Sequence, residues 1–397
     1  MGECLFPQGR VMKEVVSVAK KALNVWKTAG FSVDRTPLHR LAWQGLPYLT
    51  DSTGGARPPL TVYWSINSVC NLHCRMCDVG TANADANFWK ILRIDKKLHE
   101  IPIELFKSVT DELAPTKPRI AINATEPLMY KPLGEAIRYV RSKDMTIGVT
   151  TGAYLLPEKA EELAEAGLNR LNVSIDGPPD IHNKIRGRKD VFQKAADGIR
   201  KFDEAAKKRG LKADIALIYT VTNMNHGSLV DFMDAVADLP ISIISFNWMT
   251  FITPEQADHH NAVWGEKYKA TETCLSSDVH PSRVDTDVLW KQMTEIKKRN
   301  DPRVTFNPEY NREQLERFFH DSETFMDHTP CMSSWHFAQI LADGDCIPFT
   351  RCYHVSFGNI HEQKFMDIWN GEKVRAWRKD LRAEKRFPAC SRCPLVS

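Results

Sequence analysis

Hydrophobic positions change their period near residue 60, and that change divides the chain. Before it, Val11, Val15, Val18, Ala22, Val25 and Trp26 recur at helical spacing with Lys13, Lys20, Lys21 and Lys27 between them. This predicts an amphipathic, lysine-rich helix over 11–29. Such a helix suits packing against the main domain, and its apolar stripe also suits peripheral membrane contact, a greasy substrate or a partner. Residues 45–59 carry Gly54-Gly55 and Pro58-Pro59 and read as a connector. From 60 onward, short apolar runs alternate with longer amphipathic ones. Strands are predicted at 60–66, 119–124, 145–150, 170–175, 211–218 and 241–248. Helices are predicted at 102–113, 132–142, 157–166, 190–209 and 227–238. Strands alternating with helices form β-α-β units around a parallel sheet. The expected fold class is therefore α/β, a partial (β/α)6 TIM-like barrel with its strand C-terminal ends around one mouth.

The remainder is less regular. Helical runs at 284–299 and 308–320 sit in a segment that reads as a bridge partly covering the mouth. Residues 336–349 predict two short strands joined at Asp343-Gly344, and 362–386 look helical. This is a small C-terminal α+β unit with little core of its own, so a bound metal would help to hold it together. The expected divisions are 1–59, 60–253 for the barrel, 254–324 for the bridge, and 325–397 for the small C-terminal domain.

Composition narrows the class. With 43% hydrophobic and 26% charged residues, the 397-residue chain is an ordinary soluble globular protein. A net charge of +3 argues against an extended nucleic-acid surface. No window reaches the roughly 18 apolar residues of a membrane span, and Gln8-Gly-Arg10 and Lys13 interrupt any signal-peptide run. Ten cysteines, eight of them in two clumps, are too sparse for a disulfide scaffold, and a reducing cytoplasm is the expected compartment.

The first clump is Cys70-Asn-Leu-His-Cys74-Arg-Met-Cys77, directly after the first strand. Three thiolates on one tight loop suit a soft metal or an iron–sulfur cluster. On a [4Fe-4S] cube they would leave one iron open to another ligand. The spacing alone also admits zinc, with His73 as a fourth ligand, or cysteines that are paired or unliganded. Other distinctive residues sit at the ends of the next strands: Glu126, Thr151-Gly152 and Asp176-Gly177. One mouth would gather them all.

This C-x3-C-x2-C loop after the first barrel strand resembles the radical S-adenosylmethionine superfamily. The resemblance implies that Cys70, Cys74 and Cys77 ligate a [4Fe-4S] cluster whose free iron chelates S-adenosylmethionine. Met76 stands where the family commonly has an aromatic residue near the adenine. Asn123-Ala-Thr-Glu-Pro127 is similar to the family's Gly-Gly-Glu-Pro motif with both glycines replaced. It implies that Glu126 accepts the cofactor ammonium group and that backbone near Ala124 and Thr125 contacts the cofactor. Thr150-Thr151-Gly152 resembles the turn after the third strand. Ser174-Ile-Asp176-Gly177 with Arg186-Gly187 resembles the fourth-strand motif. Thr151, Ser174, Asp176 and Arg186 are thereby implied in cofactor binding, Arg186 through a bidentate contact with the cofactor carboxylate. Glu126 as a helix-start carboxylate, Asp176-Gly177 as a turn and Arg186 as a surface cation are the plainer readings.

The second clump, Cys331, Cys346, Cys352, Cys390 and Cys393, resembles the SPASM or twitch type of C-terminal extension, which carries auxiliary [4Fe-4S] clusters. Matching elements are Asp343-Gly344, Gly358-Asn359-Ile360, Asp367-Ile-Trp369-Asn370 and Cys390-x2-Cys393. Ligands for one auxiliary cluster are assigned as Cys331, Cys352, Cys390 and Cys393, with Cys346 as the alternative. A structural zinc is the rival.

Less specific candidates remain. Trp248, Met249, Phe251, Trp264 and Trp335 are pocket or core residues, and Asn223 and Asn225 are mouth residues or turn formers. His182, His259 and His260 read as ordinary polar residues, and Cys274 in the bridge is a candidate hydrogen-atom donor. The resemblance implies an enzyme fed by a flavodoxin or ferredoxin-type reductant. It would generate a 5′-deoxyadenosyl radical that abstracts hydrogen from a small-molecule or lipid-linked substrate, a peptide being the alternative. Net oxidation or oxidative bond formation is expected, with epimerisation or peptide modification as alternatives. A metal-stabilised binding protein without catalysis is the competing class.

Overall fold

The computed structural model describes residues 38–92, 97–327, 329–348, 353 and 355–393. The expected helix over 11–29 and Cys352 lie outside the described residues. The six expected barrel strands are β1 (Thr61–Trp64), β2 (Arg119–Ile122), β3 (Ile147–Thr151), β4 (Arg170–Ser174), β5 (Asp214–Val221) and β6 (Ile243–Trp248). They are parallel neighbours in that order. β1 is buried along its whole length, as a parallel strand covered on both faces must be. Between the strands run the helices Ile103–Leu113, Leu133–Ser142, Leu156–Glu165, Val191–Lys208 and Leu229–Ala235. In Val191–Lys208 the buried side chains include Phe192, Ala195, Ile199, Phe202 and Ala206. Their spacing of three and four residues makes the stripe that a helix turns to a core.

The sheet extends beyond these strands at both edges. β7 (Val304–Asn307) lies parallel to β6 in the segment expected to be an irregular bridge. It is four residues long and only Phe306 and Asn307 are buried, so its apolar signal was too short to register. At the opposite edge β8 (Phe337–Ile340) lies parallel to β1, with Phe337 opposite Thr61. β9 (Asp345–Ile347) returns antiparallel from the Asp343-Gly344 turn, and β10 (Gly358–Asn359) pairs with β9. The small C-terminal unit is thus hydrogen-bonded into the barrel sheet.

The connector is also anchored. Arg378, on the helix Glu372–Glu384, donates Nε to the Ser334 carbonyl (2.8 Å) and Nη1 to the Gly54 carbonyl (3.3 Å). Arg382 Nη1 donates to the carbonyls of Asp51 (2.7 Å) and Tyr48 (3.3 Å). Asn370 exchanges two hydrogen bonds with the backbone of Ala56, both 2.9 Å. Residues 45–59 therefore form part of the packing against the C-terminal unit.

His336, just before β8, reports on this junction. Its carbonyl accepts the Leu60 N–H (2.8 Å), while its ring is buried and Nε2 has no hydrogen-bond partner among the described residues. Burial pushes its pKa down to about 4. An unfolded histidine titrates higher, so the unfolded chain takes the proton first, and stability is full above pH 6.5 and lost toward pH 4. The His336→Gln variant should therefore lose roughly 3 kcal/mol less stability over that interval. Denaturant midpoints at pH 7.5 and 4.5 measure this; an unchanged acid slope in the variant would refute it.

Candidate active site

Two glycines let the cysteine loop pack tightly after β1. A Cβ on Gly80 would lie 2.4 Å from the backbone N and O of Cys74, and one on Gly187 (φ +77°) would lie 2.8 Å from the His73 carbonyl oxygen. Cys70, Cys74 and Cys77 share one apolar patch with Leu72, Val191 and Tyr154. The loop is tied to β2 through Asn67, a fully buried residue that sequence reasoning missed. Its Nδ2 donates to the Glu126 carbonyl (3.0 Å), and its Oδ1 accepts from Val69 N (3.2 Å) and Thr125 Oγ1 (2.8 Å). A polar residue closing an apolar strand was the available signal.

Glu126 is buried with both carboxylate oxygens engaged. Oε1 accepts from Thr151 Oγ1 (2.7 Å) and Leu128 N (3.0 Å), and Oε2 from Gly152 N (3.0 Å). Burial raises its pKa against the pull of these donors, and the net shift is upward. Glu126 also caps the short turn Pro127–Met129, but it does not start the helix Leu133–Ser142 that the plainer reading had in view, which begins after Pro132 with no side-chain cap.

Asp176 and Arg186 form a buried ion pair. Asp176 Oδ2 accepts Arg186 Nε (2.7 Å) and Nη2, and its Oδ1 accepts Thr220 N (3.0 Å). Arg186 Nη1 points instead at Cys74 Sγ (3.7 Å). Burial opposes the guanidinium charge, but Asp176 and Cys74 outweigh it and keep Arg186 protonated. The expected bidentate fork of Arg186 is thus taken by Asp176, and Arg186 is not the surface cation of the plainer reading. Burial also pushes the Cys74 thiol up to about 12, with Arg186 drawing it back. His182 Nδ1 accepts the Asp176 N–H (3.0 Å), and Asn225 Nδ2 donates to the Asp176 carbonyl (3.0 Å). Asn225 is therefore a turn clamp. Ser174 ends β4 half-buried, and Met76 packs half-buried on the main core.

Residues 269–280 lie over this loop. Cys274 N donates to Asp78 Oδ1 (3.0 Å) and its thiol approaches Asp78 Oδ2 (3.9 Å). Asp278 pairs with Arg75 (3.3 Å), and Asn223 Nδ2 donates to the Asp278 carbonyl (3.0 Å). Trp248, Met249, Phe251 and Trp335 are buried core residues; Trp248 stacks on Tyr310 at 5.9 Å and donates Nε1 to the Pro308 carbonyl (2.7 Å). His260 Nε2 is bonded to the Tyr268 carbonyl (2.6 Å).

In the second set, Cys331, Cys390 and Cys393 share a packed cluster with Tyr353, Trp377 and Phe387. Cys346 sits apart, on β9 in the main core, paired with Ile340 and Gly358. Among the described residues no three His, Cys, Asp or Glu side chains converge as a single-ion site. The donor sets themselves suit an iron–sulfur group, three thiols on one loop at the first site and three packed together at the second. Asn71 fits as well: both its amide atoms are buried in the first loop with no partner among the described residues.

Residues 64–236 match the Radical SAM superfamily, and residues 331–394 match SPASM, an iron–sulfur cluster-binding domain. The chain carries a radical SAM domain and a SPASM domain. The first uses a [4Fe-4S] cluster and S-adenosylmethionine, and the second binds auxiliary iron–sulfur. Among similar proteins is the Fe-coproporphyrin III synthase of Methanosarcina barkeri, 24% identical over 84% of this chain and 80% of that one. Another is the tungsten-containing aldehyde ferredoxin oxidoreductase cofactor-modifying protein of Pyrococcus furiosus, 22% identical over 84% of this chain and 87% of that one. SuiB of Streptococcus suis, solved with S-adenosylmethionine, has a TM-score of 0.58 at 14% identity, covering 91% of this chain and 79% of that one. This last likeness is one of fold. No helix among the described residues is long and apolar enough to cross a membrane.

Ala124 marks where the radical SAM domain departs from Gly-Gly-Glu-Pro. It holds φ +85°, a left-handed conformation that costs a residue with a Cβ. Ala124→Gly should therefore stabilise the chain by about 1 kcal/mol. A denaturation midpoint that stays put or falls would show that the backbone there is unstrained.

Proposed function

We propose that this chain is a radical SAM oxidoreductase acting on a small-molecule or lipid-linked substrate in the cytoplasm. The observation that carries the reading is the set of buried contacts linking the three-thiol loop to Glu126 through Asn67 and to Asp176 through Arg186. Cys70, Cys74 and Cys77 hold the cluster. When bound, the cluster and S-adenosylmethionine supply a strongly hydrogen-abstracting radical from one electron, delivered by a flavodoxin or ferredoxin-type protein. Glu126, its oxygens fixed by Thr151 and Gly152, offers a buried anion to the cofactor ammonium group. Backbone at Ala124 and Thr125, with Met76 and Ser174, completes the cofactor's surroundings. Arg186 acts through Cys74, favouring its thiolate, while Asp176 fixes the guanidinium. Residues 269–280 exclude water from the loop they cover. Cys274, the candidate hydrogen donor, has its thiol toward Asp78.

The shared cluster of Cys331, Cys390 and Cys393 supports one auxiliary [4Fe-4S] cluster, with Cys352 assigned as its fourth ligand and Cys346, which packs in the main core, as the alternative. A cluster held by these thiols would supply a one-electron acceptor for substrate oxidation. A small substrate agrees with the relative named for Fe-coproporphyrin III. A peptide substrate is the second reading, favoured by the fold of SuiB, which was also solved with its precursor peptide.

Anaerobic incubation of reduced protein with S-adenosylmethionine tests the chemistry. Wild type should form 5′-deoxyadenosine, and Cys74→Ala should form none; equal amounts from both would refute the assignment. Glu126→Gln should keep its iron yet weaken S-adenosylmethionine binding by at least ~10-fold, the effect of losing a charge-assisted contact. Unchanged affinity by calorimetry would remove Glu126 from the cofactor site. Cys393→Ala should lose one cluster's worth of iron and Cys346→Ala none; the reverse pattern would exchange their roles.

A further inference from the structure

The second cysteine set is supplied with hydrogen-bond donors. Cys331 Sγ lies 3.1 Å from Ser333 Oγ, and Cys390 Sγ lies 3.2 Å from the Tyr353 hydroxyl. A ligating thiolate carries no proton, so in both pairs the hydroxyl must then be the donor. Tyr353 cannot easily turn away. It is 1% exposed, and its ring is held by His260, Trp377 and Phe387 at 5.1, 5.4 and 5.9 Å. Its backbone forms a β-bridge with Ala270.

Another polar group, Arg386, lies near this set. It is buried, donates Nε to the Thr329 carbonyl and pairs with Asp327 through Nη2. Its Nη1 has no partner among the described residues.

We propose that Tyr353 is a positioning residue for electron transfer, whose hydroxyl bonds the ligating Cys390 sulfur and raises the reduction potential of the auxiliary cluster. The inference rests on the ligand set proposed above. An O–H···S bond strengthens as the cluster gains negative charge, so it stabilises the reduced form, and more so in a low-dielectric interior. A higher potential suits a cluster that accepts an electron. The substrate radical, in becoming the oxidised product, gives one electron to the cluster and one proton to solvent. A one-electron carrier protein of the flavodoxin or ferredoxin class then reoxidises the cluster.

The test is a redox titration of the anaerobically reconstituted full chain, followed by electron paramagnetic resonance, with iron content measured alongside. Wild type should show two clusters with separate midpoints. In Tyr353→Phe the auxiliary midpoint should fall by about a tenfold change in equilibrium constant, which is 59 mV for one electron. The first cluster's midpoint and the iron content should not change. A single cluster in wild type would overturn the ligand reading and this inference with it. Two clusters with an unmoved auxiliary midpoint in Tyr353→Phe would overturn the inference alone. Should the Phe variant not hold the second cluster, 3-fluorotyrosine at position 353 decides, because it keeps the ring and strengthens the donor. An upward shift supports the proposal, and no shift overturns it.

Discussion

A buried thiolate must be compensated, and the two cysteine sets meet that demand differently. Taking a sulfur anion out of water is costly unless a donor or a cation faces it. Arg186 faces Cys74 with Asp176 behind it, whereas Ser333 faces Cys331 and the Tyr353 hydroxyl faces Cys390. Asp176 offsets the charge of the buried Arg186 and fixes its plane. At the first site this requirement reaches into the backbone. Arg186 ends the helix Pro179–Arg186, and Gly187 ends it in a left-handed turn that passes close beneath the His73 carbonyl. The placement of one N–H thus depends on a helix terminus, a glycine and the cysteine loop together.

The two sites are also joined by one stretch of chain. Tyr268 packs in the aromatic cluster of the second cysteine set, and Ala270 bridges Tyr353. A few residues on, Cys274 is bonded to Asp78 beside Cys77, and Asp278 pairs with Arg75 inside the first loop. Asn87 fastens the middle of this stretch, its backbone N–H meeting Thr271 Oγ1 (2.7 Å) and its side chain the Lys269 carbonyl (3.1 Å). Residues 268–278 therefore touch both cysteine sets. The parallel pairing of β8 with β1 gives a second rigid link, since β1 leads directly into the first cysteine loop.

Much of this was legible from periodicity. The barrel strands are runs buried on both faces, and the long helices carry three-and-four stripes, so local pattern and tertiary burial agree. The Asp343-Gly344 turn was legible for the same reason, since the turn chemistry is local. What escaped was long-range or brief. β7 is too short to stand out from its surroundings, and the edge that β8 joins is decided by pairing that no local run encodes. The grip of Arg378 and Arg382 on the connector consists of side chains meeting carbonyls more than three hundred residues away in sequence. At the site the cysteine spacing was plain, whereas Asn67 and Asp78 matter for what they touch. The spacing of Cys346 and Cys352 left both open as ligands. The position of Cys346 in β9, opposite Ile340 and among core residues, separates it from Cys331, Cys390 and Cys393.

The altered motif Asn123-Ala-Thr-Glu-Pro127 shows how a departure from a family pattern can keep its geometry. Two glycines would give the turn its conformation freely. Here Ala124 adopts the left-handed conformation regardless, at a cost of roughly 1–2 kcal/mol. Thr125 supplies what a glycine could not, a hydroxyl that bonds both the carbonyl of Asn67 (2.7 Å) and its side chain (2.8 Å). A hydrogen bond of this kind is worth about 1 kcal/mol, so the strain at one position and the tie at the next nearly cancel. Because Asn67 also binds the Glu126 carbonyl, the tie holds the acidic residue in register with the cysteine loop. The two substitutions are therefore best understood as a pair, the second restoring through a side chain the fixation that the first puts under strain.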